Sequence, residues 1–301
     1  MGVNRIVDFN VENIEPVRLE GPADVVERNL MSPYVWLGQS GRFEMMVRAV
    51  PRPGETGDTG TIWHAIGDDG RRFTVEQTPA IVPGPGAEDL GGCEDPTVVR
   101  AEDGRYIVYY TGVDASRSHG EMLYADGPSM KTLVKRGVAM ASSPSEGNIK
   151  EATVDRTRDG RWRMFYEYAA QGASLIGLAI GSGDAGPWNH LEQPFAPRPD
   201  LWDRWHLSTG PMLTTDKNLP VMFYNGATED ARWRIGWIAF DAEYRRVVDR
   251  CLEPLISPPP MEDRLATDIA FAASVLVHDG VAWLYYSRAD SMLFRARLRR
   301  S

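Results

Sequence analysis

Several acidic side chains stand where an ordinary strand or turn does not require them. Glu94 and Asp95 directly precede an apolar run that begins at Pro96, and Glu167 lies inside the aromatic run MFYEYA. A carboxylate in the middle of an apolar strand is costly unless it is paired or faces water. Acidic groups held together in a partly dry site can act as general acid and general base. Arg48, which ends the apolar run FEMMVR, is a cation at a position where an apolar strand does not require one.

Further polar residues fall beside similar runs: Lys150, Glu151, Tyr224, Asn225, Asp268, Arg288 and Asp290. Several of these candidates also have an ordinary explanation. Asp95 before a proline is common turn chemistry, Lys150 and Glu151 fit a solvated charge pair, and Asp290 fits a loop cap. The residues alone leave both explanations open.

The composition excludes several classes of function. Asp and Glu number 42 against 33 Lys and Arg, a formal charge of −9, so a nucleic-acid-binding surface is not expected. The sequence has no Walker loop, dinucleotide-binding fingerprint or Gly-x-Ser-x-Gly elbow, and its five histidines lack metal-ligand spacing. We therefore expect no cofactor and no metal, and an uncharged or cationic ligand.

The sequence also predicts a cytoplasmic location without a membrane partner. The segment MGVNRIVDFNVENIEP has no apolar stretch of signal-peptide length, and no run approaches the ~20 apolar residues of a membrane helix. Export by an unusual route stays open. Pairing of Cys93 with Cys251 and the oligomeric state also stay open.

The elements that must position the candidate residues form a repeat. Five runs rich in aromatic and β-branched residues each follow a polar turn, and these turns are separated by 63, 56, 57 and 63 residues. With the apolar runs that flank each turn, about sixty residues hold four strands. Continuously apolar runs between turns do not fit the periodicity of helices. The runs are GRFEMMVRA, DGRYIVYYTG, DGRWRMFYEYA, KNLPVMFYNGA and DGVAWLYYSRA.

Five four-stranded repeats predict an all-β fold, a five-bladed β-propeller. In a propeller the innermost strands surround a central axial pocket, where polar groups from several blades converge. Carboxylates reach this pocket from three repeats, which makes it the expected active site. We expect a single domain, residues 1–301, closed by its N-terminal segment, with blades near 30–83, 93–142, 148–197, 208–258 and 268–301.

The segment GGCEDPTVVRAEDGRYIVYYTG resembles the Gly-x-Glu-Asp-Pro-Arg segment of glycoside hydrolase family 130. That family consists of five-bladed propellers that include β-mannoside phosphorylases and β-1,2-mannosidases. The resemblance covers roughly residues 25–298. Other segments resemble the family in the same order along the chain: MMVRA, IKEATVDRTRDGRWRMFYEY, STGPMLTTDKNLPVMFYNGA and LYYSRADSMLFRARL.

The resemblance implies roles for individual residues. Asp95 would be the general acid that protonates the glycosidic oxygen, and Arg48 and Asp290 would hold the sugar beside the cleaved bond. We expect burial and the neighbouring carboxylates Glu94 and Asp290 to raise the pKa of this acid. The implied substrate is a β-linked manno-oligosaccharide, although related propellers that cleave arabinosides, fructosides and xylosides leave the sugar open.

Departures from the family pattern bear on the reaction. Tyr166 and Glu167 replace the family's His-Arg pair, and Asn225, a candidate substrate contact, replaces the histidine of Tyr-His-Gly. A carboxylate in place of a cation repels phosphate. We therefore expect an inverting hydrolase in which Glu167 is the general base on water, ~6.5 to 9.5 Å from the acid. The alternative is a phosphorylase with Lys150 and Arg117 as phosphate contacts.

Three further residues carry expectations. Trp202 and Trp205, in a loop rich in Pro and Trp, predict a platform for sugar rings, with a role as a buried loop anchor as the alternative. Thr97 replaces the arginine that follows Glu-Asp-Pro in the family and removes a charge from the expected entrance of the site. A second alternative to catalysis by hydrolysis is a propeller that binds a glycan without cleaving it.

Overall fold

The protein is built almost entirely of β-strands. The computed structural model describes residues 6–52, 54–55, 57–191, 193–259 and 268–300. A one-turn helix, α1 (Ala23–Val26), interrupts the first strands. These first strands are β1 (Phe9–Pro16), β2 (Arg18–Glu20), β3 (Asn29–Leu37), β4 (Phe43–Val50), β5 (Thr61–Gly67) and β6 (Arg72–Val75).

The middle of the chain continues the pattern, with short 3-10 helices at Ala87–Asp89 and Met130–Thr132. Its strands are β7 (Gly92–Arg100), β8 (Tyr106–Val113), β9 (Gly120–Gly127), β10 (Val134–Met140), β11 (Gly147–Arg156), β12 (Trp162–Ala170), β13 (Ala173–Gly181) and β14 (Trp188–Leu191).

The last part contains shorter strands followed by three long ones. They are β15 (His206–Ser208), β16 (Met212–Leu213), β17 (Val221–Met222), β18 (Asn225–Ala227), β19 (Arg234–Ile235), β20 (Ile238–Phe240), β21 (Val247–Arg250), β22 (Ala270–His278), β23 (Val281–Arg288) and β24 (Met292–Arg300).

Strands that follow one another in sequence pair into antiparallel sheets. The sheet orders are β2-β6-β5-β4-β3, β10-β9-β8-β7, β11-β12-β13-β14, β15-β18-β19, β16-β17-β20-β21 and β1-β24-β23-β22. Only the β2–β6 pair in the first of these sheets is parallel. The strand β8 lies between β7 and β9, and every residue of β8 is buried. Burial on both faces accounts for the continuously apolar sequence of β8.

The hairpins predicted from the repeat are confirmed. β3–β4, β7–β8, β11–β12 and β22–β23 are antiparallel pairs joined by short turns. Gly41, Gly104, Gly160 and Gly280 in these turns have φ values of 79°, 87°, 86° and 75°. The left-handed region is accessible to glycine without a steric penalty, so the repeated Asp-Gly signal has a conformational cause.

Residues 206–250 supply all the strands of two small sheets. Their ladders are interrupted between β17 and β18, but the amide of Phe223 donates to the carbonyl of Pro211 and that of Gly236 to Tyr224. Pro211 has no N–H to donate in return. The interruption therefore has a local cause, and the backbone bonds continue across it.

The sheets are arranged as a ring. β3 lies beside both β7 and β22, β7 lies beside β11, and β16 lies beside β22. The N-terminal strand β1 pairs with β24, so chain from both ends of the sequence forms one sheet. An ion pair of 2.7 Å between Arg295 and Glu15 supports this pairing.

Side-chain hydrogen bonds join neighbouring sheets near the ring centre. The hydroxyl of Thr97 donates to the carbonyl of Ala152 at 2.6 Å, that of Thr153 to Gly210 at 2.9 Å, and that of Ser274 to Pro33 at 2.8 Å. Ala152 and Pro33 belong to a neighbouring sheet, and Gly210 lies between β15 and β16. Thr97 is therefore a buried connection between sheets and does not stand at the entrance of the site, which corrects the expectation from sequence.

The cysteine question is also settled. Cys93 and Cys251 are both buried free thiols.

We predict that Thr97→Val lowers the free energy of unfolding by about 1 to 3 kcal/mol, because valine keeps the shape but leaves the buried carbonyl of Ala152 without its donor. Urea denaturation measures the difference. Thr74 is exposed on β6, so Thr74→Val is the matched control, with an expected change within about 0.5 kcal/mol. Equal effects of the two substitutions would contradict the role assigned to Thr97.

Candidate active site

A polar cavity of about 160 Å³ lies among the inner strands of the ring. Five carboxylates and two cations line it, together with two aromatic rings. The lining residues are Met31, Ser32, Arg48, Glu94, Asp95, Lys150, Glu151, Glu167, Trp233, Ile269, Phe271, Ser287 and Asp290. The structure thus brings together seven of the residues singled out from the sequence.

Four of the lining residues have a left-handed backbone, with φ of 53° at Ser32, 51° at Asp95, 54° at Glu151 and 47° at Asp290. The first three lie where the register of β3, β7 and β11 shifts, and Asp290 lies in the β23–β24 turn. A bulge of this kind redirects a side chain out of the strand's alternation. Such conformations cost about 1 to 3 kcal/mol each in non-glycine residues, and their concentration around one cavity points to function.

Arg48 on β4 is the centre of the ion pairs. Its Nη2 lies 2.6 Å from Oε1 of Glu94, and its Nη1 lies 3.2 Å from Oδ1 of Asp95. The same guanidinium donates to the carbonyl of Thr59. Burial opposes the charge, but Glu94 and Asp95 outweigh it and raise the pKa of Arg48. Arg48 is therefore a fixed cation.

The environment of Asp95 differs from the expectation. Burial alone would raise the pKa of Asp95, but Arg48 and hydrogen bonds from Ser32 and Glu151 outweigh it and hold that pKa below its usual value. The Oγ of Ser32 donates directly to Oδ1 of Asp95. The pKa of Asp95 is thus shifted downward, whereas we expected burial and neighbouring carboxylates to raise the pKa of this acid.

Glu151 is easier to protonate than an ordinary glutamate. Its carboxyl group is hydrogen-bonded to that of Asp95. Burial, and then the charges of Asp95 and Glu167, raise the pKa of Glu151 well above its usual value, against a smaller opposing effect of Lys150. The two carboxyl groups therefore titrate as a pair in which protonation of Glu151 is favoured over protonation of Asp95.

Glu167 faces Lys150 across the β11–β12 ladder, where the two residues are register partners. The Nζ of Lys150 lies 3.3 Å from Oε1 of Glu167. The Glu167 side chain is only 3% exposed, so its ion pair with Lys150 is largely shielded from solvent. Glu167 raises the pKa of Lys150, with burial opposing it.

The remaining carboxylates of the cavity are easier to protonate than free ones. Burial raises the pKa of Glu94, with Arg48 opposing this and Asp95 adding to it. Burial likewise raises the pKa of Asp290, with Arg48 opposing it. Asp290 therefore faces the cavity from the β23–β24 turn and is more than a loop cap.

Asn225 lies outside the cavity, contrary to the expected substrate contact. Its Nδ2 donates to the carbonyls of Thr209 and Ala272, and its Oδ1 accepts from the amide of Ala272 at 2.7 Å. The side chain is fully buried. It joins β18 to β22, and all of its polar atoms are used for that purpose.

The two loop tryptophans are also outside the lining set. Trp202 stacks on Tyr224 with ring centroids 5.5 Å apart and packs against the core, so its role is the alternative one of a loop anchor. Trp205 is 39% exposed, and its indole donates to the carbonyl of Gly172. Its ring meets His206 edge to face, and His206 in turn lies against Trp233 of the cavity wall.

Arg117 lies in the exposed loop between β8 and β9, away from the lining residues. This loop begins after Val113, which pairs with Gly92 at the start of β7. Asp95 lies near the same end of β7, so the loop and Asp95 are at the same end of the sheet.

Other candidates have structural partners. Asp268 forms an ion pair of 2.9 Å with Arg232, and the guanidinium of Arg288 lies 4.1 Å from the ring centroid of Phe294. Tyr224 donates to Asp203 in a buried cluster beneath the tryptophan loop.

Sequence reasoning missed part of the cavity. Ser32 and Phe271 carry no local signal, since a serine in a strand and a phenylalanine in an apolar run are both ordinary. Trp233 stands in RWRIGW, where its aromatic character was visible but its direction was not. Glu151 was noticed beside Lys150 without a role, because adjacency does not show that a bulge turns it toward Asp95.

No group of three or more His, Cys, Asp or Glu side chains in the described part of the chain is arranged to hold a metal ion. Among those residues there is also no helix long and apolar enough to cross a membrane. What the carboxylates can do is exchange protons beside two fixed cations.

Comparison with known proteins identifies the class. Residues 42–298 match the model of glycoside hydrolase family 130, described as beta-1,4-mannooligosaccharide phosphorylase. The chain therefore belongs to glycoside hydrolase family 130.

Individual relatives are distant. A 1,2-beta-oligomannan phosphorylase of Thermoanaerobacter sp. (strain X514) is 23% identical over 234 residues, which are 76% of this chain and 75% of that protein. The structure of beta-1,2-mannobiose phosphorylase from Listeria innocua is 18% identical with a TM-score of 0.73, over 95% of this chain and 90% of the other.

A further similar structure was described with the glycoside hydrolases of family 130 that target beta-1,2 mannosidic linkages in Candida mannan. It is 22% identical with a TM-score of 0.72, over 90% of this chain and 84% of the other.

We predict that the stability of Glu151→Gln relative to the wild type increases with pH. Because the pKa of Glu151 is raised, the folded protein keeps a proton that the unfolded chain loses above the ordinary glutamate pKa. That contribution is fully present below this pH and is lost as the pH rises toward the folded pKa.

The wild type should therefore lose stability against Glu151→Gln as the pH rises above the ordinary glutamate pKa, by up to about 1.4 kcal/mol per pH unit. Urea denaturation at several pH values measures this difference. Glu102 is exposed, so Glu102→Gln should show no such trend. A difference between wild type and Glu151→Gln that does not change with pH would contradict the protonated state of Glu151.

Proposed function

We propose that the protein cleaves β-mannosidic bonds in manno-oligosaccharides, and that its sheets are the blades of a five-bladed propeller. The observation that carries the proposal is the cavity that brings the carboxyl groups of Asp95 and Glu151 together beside Arg48 and Lys150. Membership of a family whose model is described as a mannooligosaccharide phosphorylase supports the choice of sugar.

The ring arrangement supports five blades. Residues 206–250 form two small sheets joined end to end by backbone bonds, so they count as one blade. The other four sheets each supply one blade, and β1 completes the last. The cavity then lies on the axis where the innermost strands β3, β7, β11 and β22 meet.

The carboxyl pair supplies the acid that a glycosidic bond requires. A leaving alkoxide needs a proton as the C1–O bond breaks, and a positioned donor contributes roughly 10²- to 10⁴-fold. The proton of the Asp95–Glu151 pair goes to the glycosidic oxygen, and the electrons of the broken bond stay on that oxygen. An acceptor then bonds to C1 from the opposite face, with inversion.

Phosphate is the first candidate for the acceptor. The family model and the relative from Thermoanaerobacter both carry the description of a phosphorylase. Lys150 at the cavity and Arg117 in the loop at the same end of the sheet are the cations that would meet phosphate. In this reaction the proton of the attacking hydrogen phosphate returns to the carboxyl pair after each turnover.

Water is the second candidate for the acceptor, because the negative charges of the cavity disfavour a phosphate anion. Five carboxylates face two cations, and both cations already form ion pairs, Arg48 with Glu94 and Asp95, and Lys150 with Glu167. A second phosphate charge in such a site is repelled unless Lys150 leaves Glu167. Glu167 would then be the general base that takes a proton from water, as an inverting hydrolase requires.

Product analysis separates the two acceptors. We expect β-linked manno-oligosaccharides, incubated with the protein and inorganic phosphate, to yield mannose 1-phosphate, and to yield little product without phosphate. Release of free mannose that is independent of phosphate would establish the hydrolase. The absence of both products across β-1,2- and β-1,4-linked substrates, with binding retained, would favour a glycan-binding propeller.

Glu167→Gln gives a second, independent prediction. If phosphate is the acceptor, the substitution frees Lys150 from its ion pair, so the KM for phosphate should fall while kcat is retained. If water is the acceptor, the substitution removes the base and hydrolysis should fall by roughly 10²- to 10⁴-fold. Initial rates at varied phosphate measure both, with Glu102→Gln as the surface control. Full hydrolytic activity in Glu167→Gln would refute the assignment of Glu167 as base.

A further inference from the structure

We propose that the protein has a second ligand site, at the opposite end of its inner strands from the candidate active site, and that this site binds a hexose-sized sugar carrying one anionic group. A phosphate ester and a carboxylate both supply such a group. The ligand takes no part in cleaving the glycosidic bond. The second site therefore goes beyond the proposed function and does not depend on it.

The site is a cavity of about 430 Å³ lined by the inner strands β3, β7 and β22 and by the start of β8. We call it the second cavity. Its volume falls in the range of about 300 to 1,000 Å³ that is usual for small-molecule sites. No described residue lines both this cavity and the candidate active site. Its aromatic and polar lining residues are Tyr34, Trp36, Gln39, Arg100 and Tyr106.

The same inner strands reach both cavities with opposite ends. On β7, Asp95 lines the candidate active site and Arg100 lines the second cavity. On β22, Phe271 and Leu276 are divided in the same way. Five residues of extended strand span roughly 16 Å. A ligand in the second cavity is therefore too far from Asp95 to exchange a proton with it.

Three aromatic rings form one wall of the second cavity. The ring centroid of Trp36 lies 6.4 Å from that of Tyr34 and 6.3 Å from that of Tyr106. Trp36 also stacks on His64, with ring centroids 6.0 Å apart, so its position is fixed from several directions. Tyr34 and Trp36 are only partly buried. Rigid Tyr and Trp rings offer contact area at a low cost in conformational entropy, and they suit the C–H faces of a pyranose ring.

Arg100 gives the second cavity a positive charge. Its guanidinium carbon lies 4.3 Å from the ring centroid of Tyr106, which is a cation–π contact. Among the described residues, no carboxylate forms an ion pair with Arg100. A guanidinium binds a phosphate or a carboxylate through parallel N–H bonds. Arg100 is therefore the group that would hold the anionic part of the ligand.

Negative charge is kept out of the second cavity. Its described lining contains no Asp or Glu, whereas five carboxylates line the candidate active site. Two carboxylates approach the lining from outside, and each has a partner. Oε2 of Glu44 lies 3.2 Å from Nε2 of His64, and Tyr244 donates to Asp155 at 2.6 Å. The charges thus favour an anion here.

Polar groups in the lining favour a sugar over a purely aromatic anion. The Nε1 of Trp36 is buried and has no acceptor among the described residues. A buried donor is unfavourable unless an acceptor meets it. The oxygens of a sugar supply acceptors over the whole ring, whereas an aromatic anion has them only at its charged group. Gln39, which is exposed, offers a donor and an acceptor to sugar hydroxyl groups.

Titration calorimetry with mannose 6-phosphate, glucuronate and mannose tests the proposal. The two anions compare phosphate with carboxylate, and mannose has the ring without the charge. We expect at least one of the anions to bind with an affinity about 10-fold or more above that of mannose, because a hydrogen bond to a charged group is stronger than one to a neutral group.

Arg100→Gln and Arg18→Gln form a matched pair of variants. Both arginines are exposed and neither forms an ion pair with a described residue, but Arg18 lies on β2, the outermost strand of the first sheet. We expect Arg100→Gln to weaken the binding of the preferred anion by about 10-fold or more and Arg18→Gln to leave it unchanged. Crystals soaked with that anion should show its charged group within hydrogen-bond distance of the Arg100 guanidinium.

Three results would overturn the proposal. They are the absence of binding of both anions at millimolar concentration, equal affinities for mannose and the anions, and equal affinities of the wild type and Arg100→Gln. The last result would place the anion elsewhere, for example beside Lys150 in the candidate active site. None of these measurements requires cleavage of a mannoside, so a failure of the proposed function is recognised separately by product analysis.

Discussion

The buried guanidinium of Arg48 is the constraint on which the rest of the site depends. It lies on the first sheet and binds Glu94 and Asp95 of the second, with side chains that are 14%, 15% and 7% exposed. Removing one partner from a buried ion pair costs about 3 to 5 kcal/mol, because the other charge is left without compensation. The contact therefore joins two sheets at the centre of the ring and also sets the ionisation of Asp95.

The cavity holds five acid groups beside only two cations. Arg48 and Ser32 stabilise the ionised form of Asp95, whereas burial, and then the charge of Asp95, favours the protonated form of Glu151. Lys150 neutralises Glu167 on the other side. The cavity thus separates a proton source from a charged carboxylate, which is the arrangement required to break a glycosidic bond. The left-handed bulges that present these groups are stabilised by hydroxyl bonds between neighbouring sheets.

The sequence predicted the strands, their hairpins and most of the cavity, because these depend on local signals. Apolar runs between Asp-Gly turns indicate paired strands, and Arg48, Glu167 and Asp290 stand out as charges in or beside such runs. The partners of Asn225 and Thr97 could not be predicted, because they belong to other sheets. The raised pKa of Glu151 could not be predicted from the sequence either, since it depends on burial and on side chains of other strands that approach Glu151 only in the folded chain.

The most direct test of this account is a neutron diffraction structure of the crystallised protein at neutral pH, which locates deuterons on carboxyl groups. The account predicts one deuteron between Glu151 and Asp95, bonded to the carboxyl oxygen of Glu151, with Asp95 bare and accepting from Ser32 and Arg48. A deuteron bonded to Asp95 with Glu151 ionised, or two bare carboxylates, would contradict it.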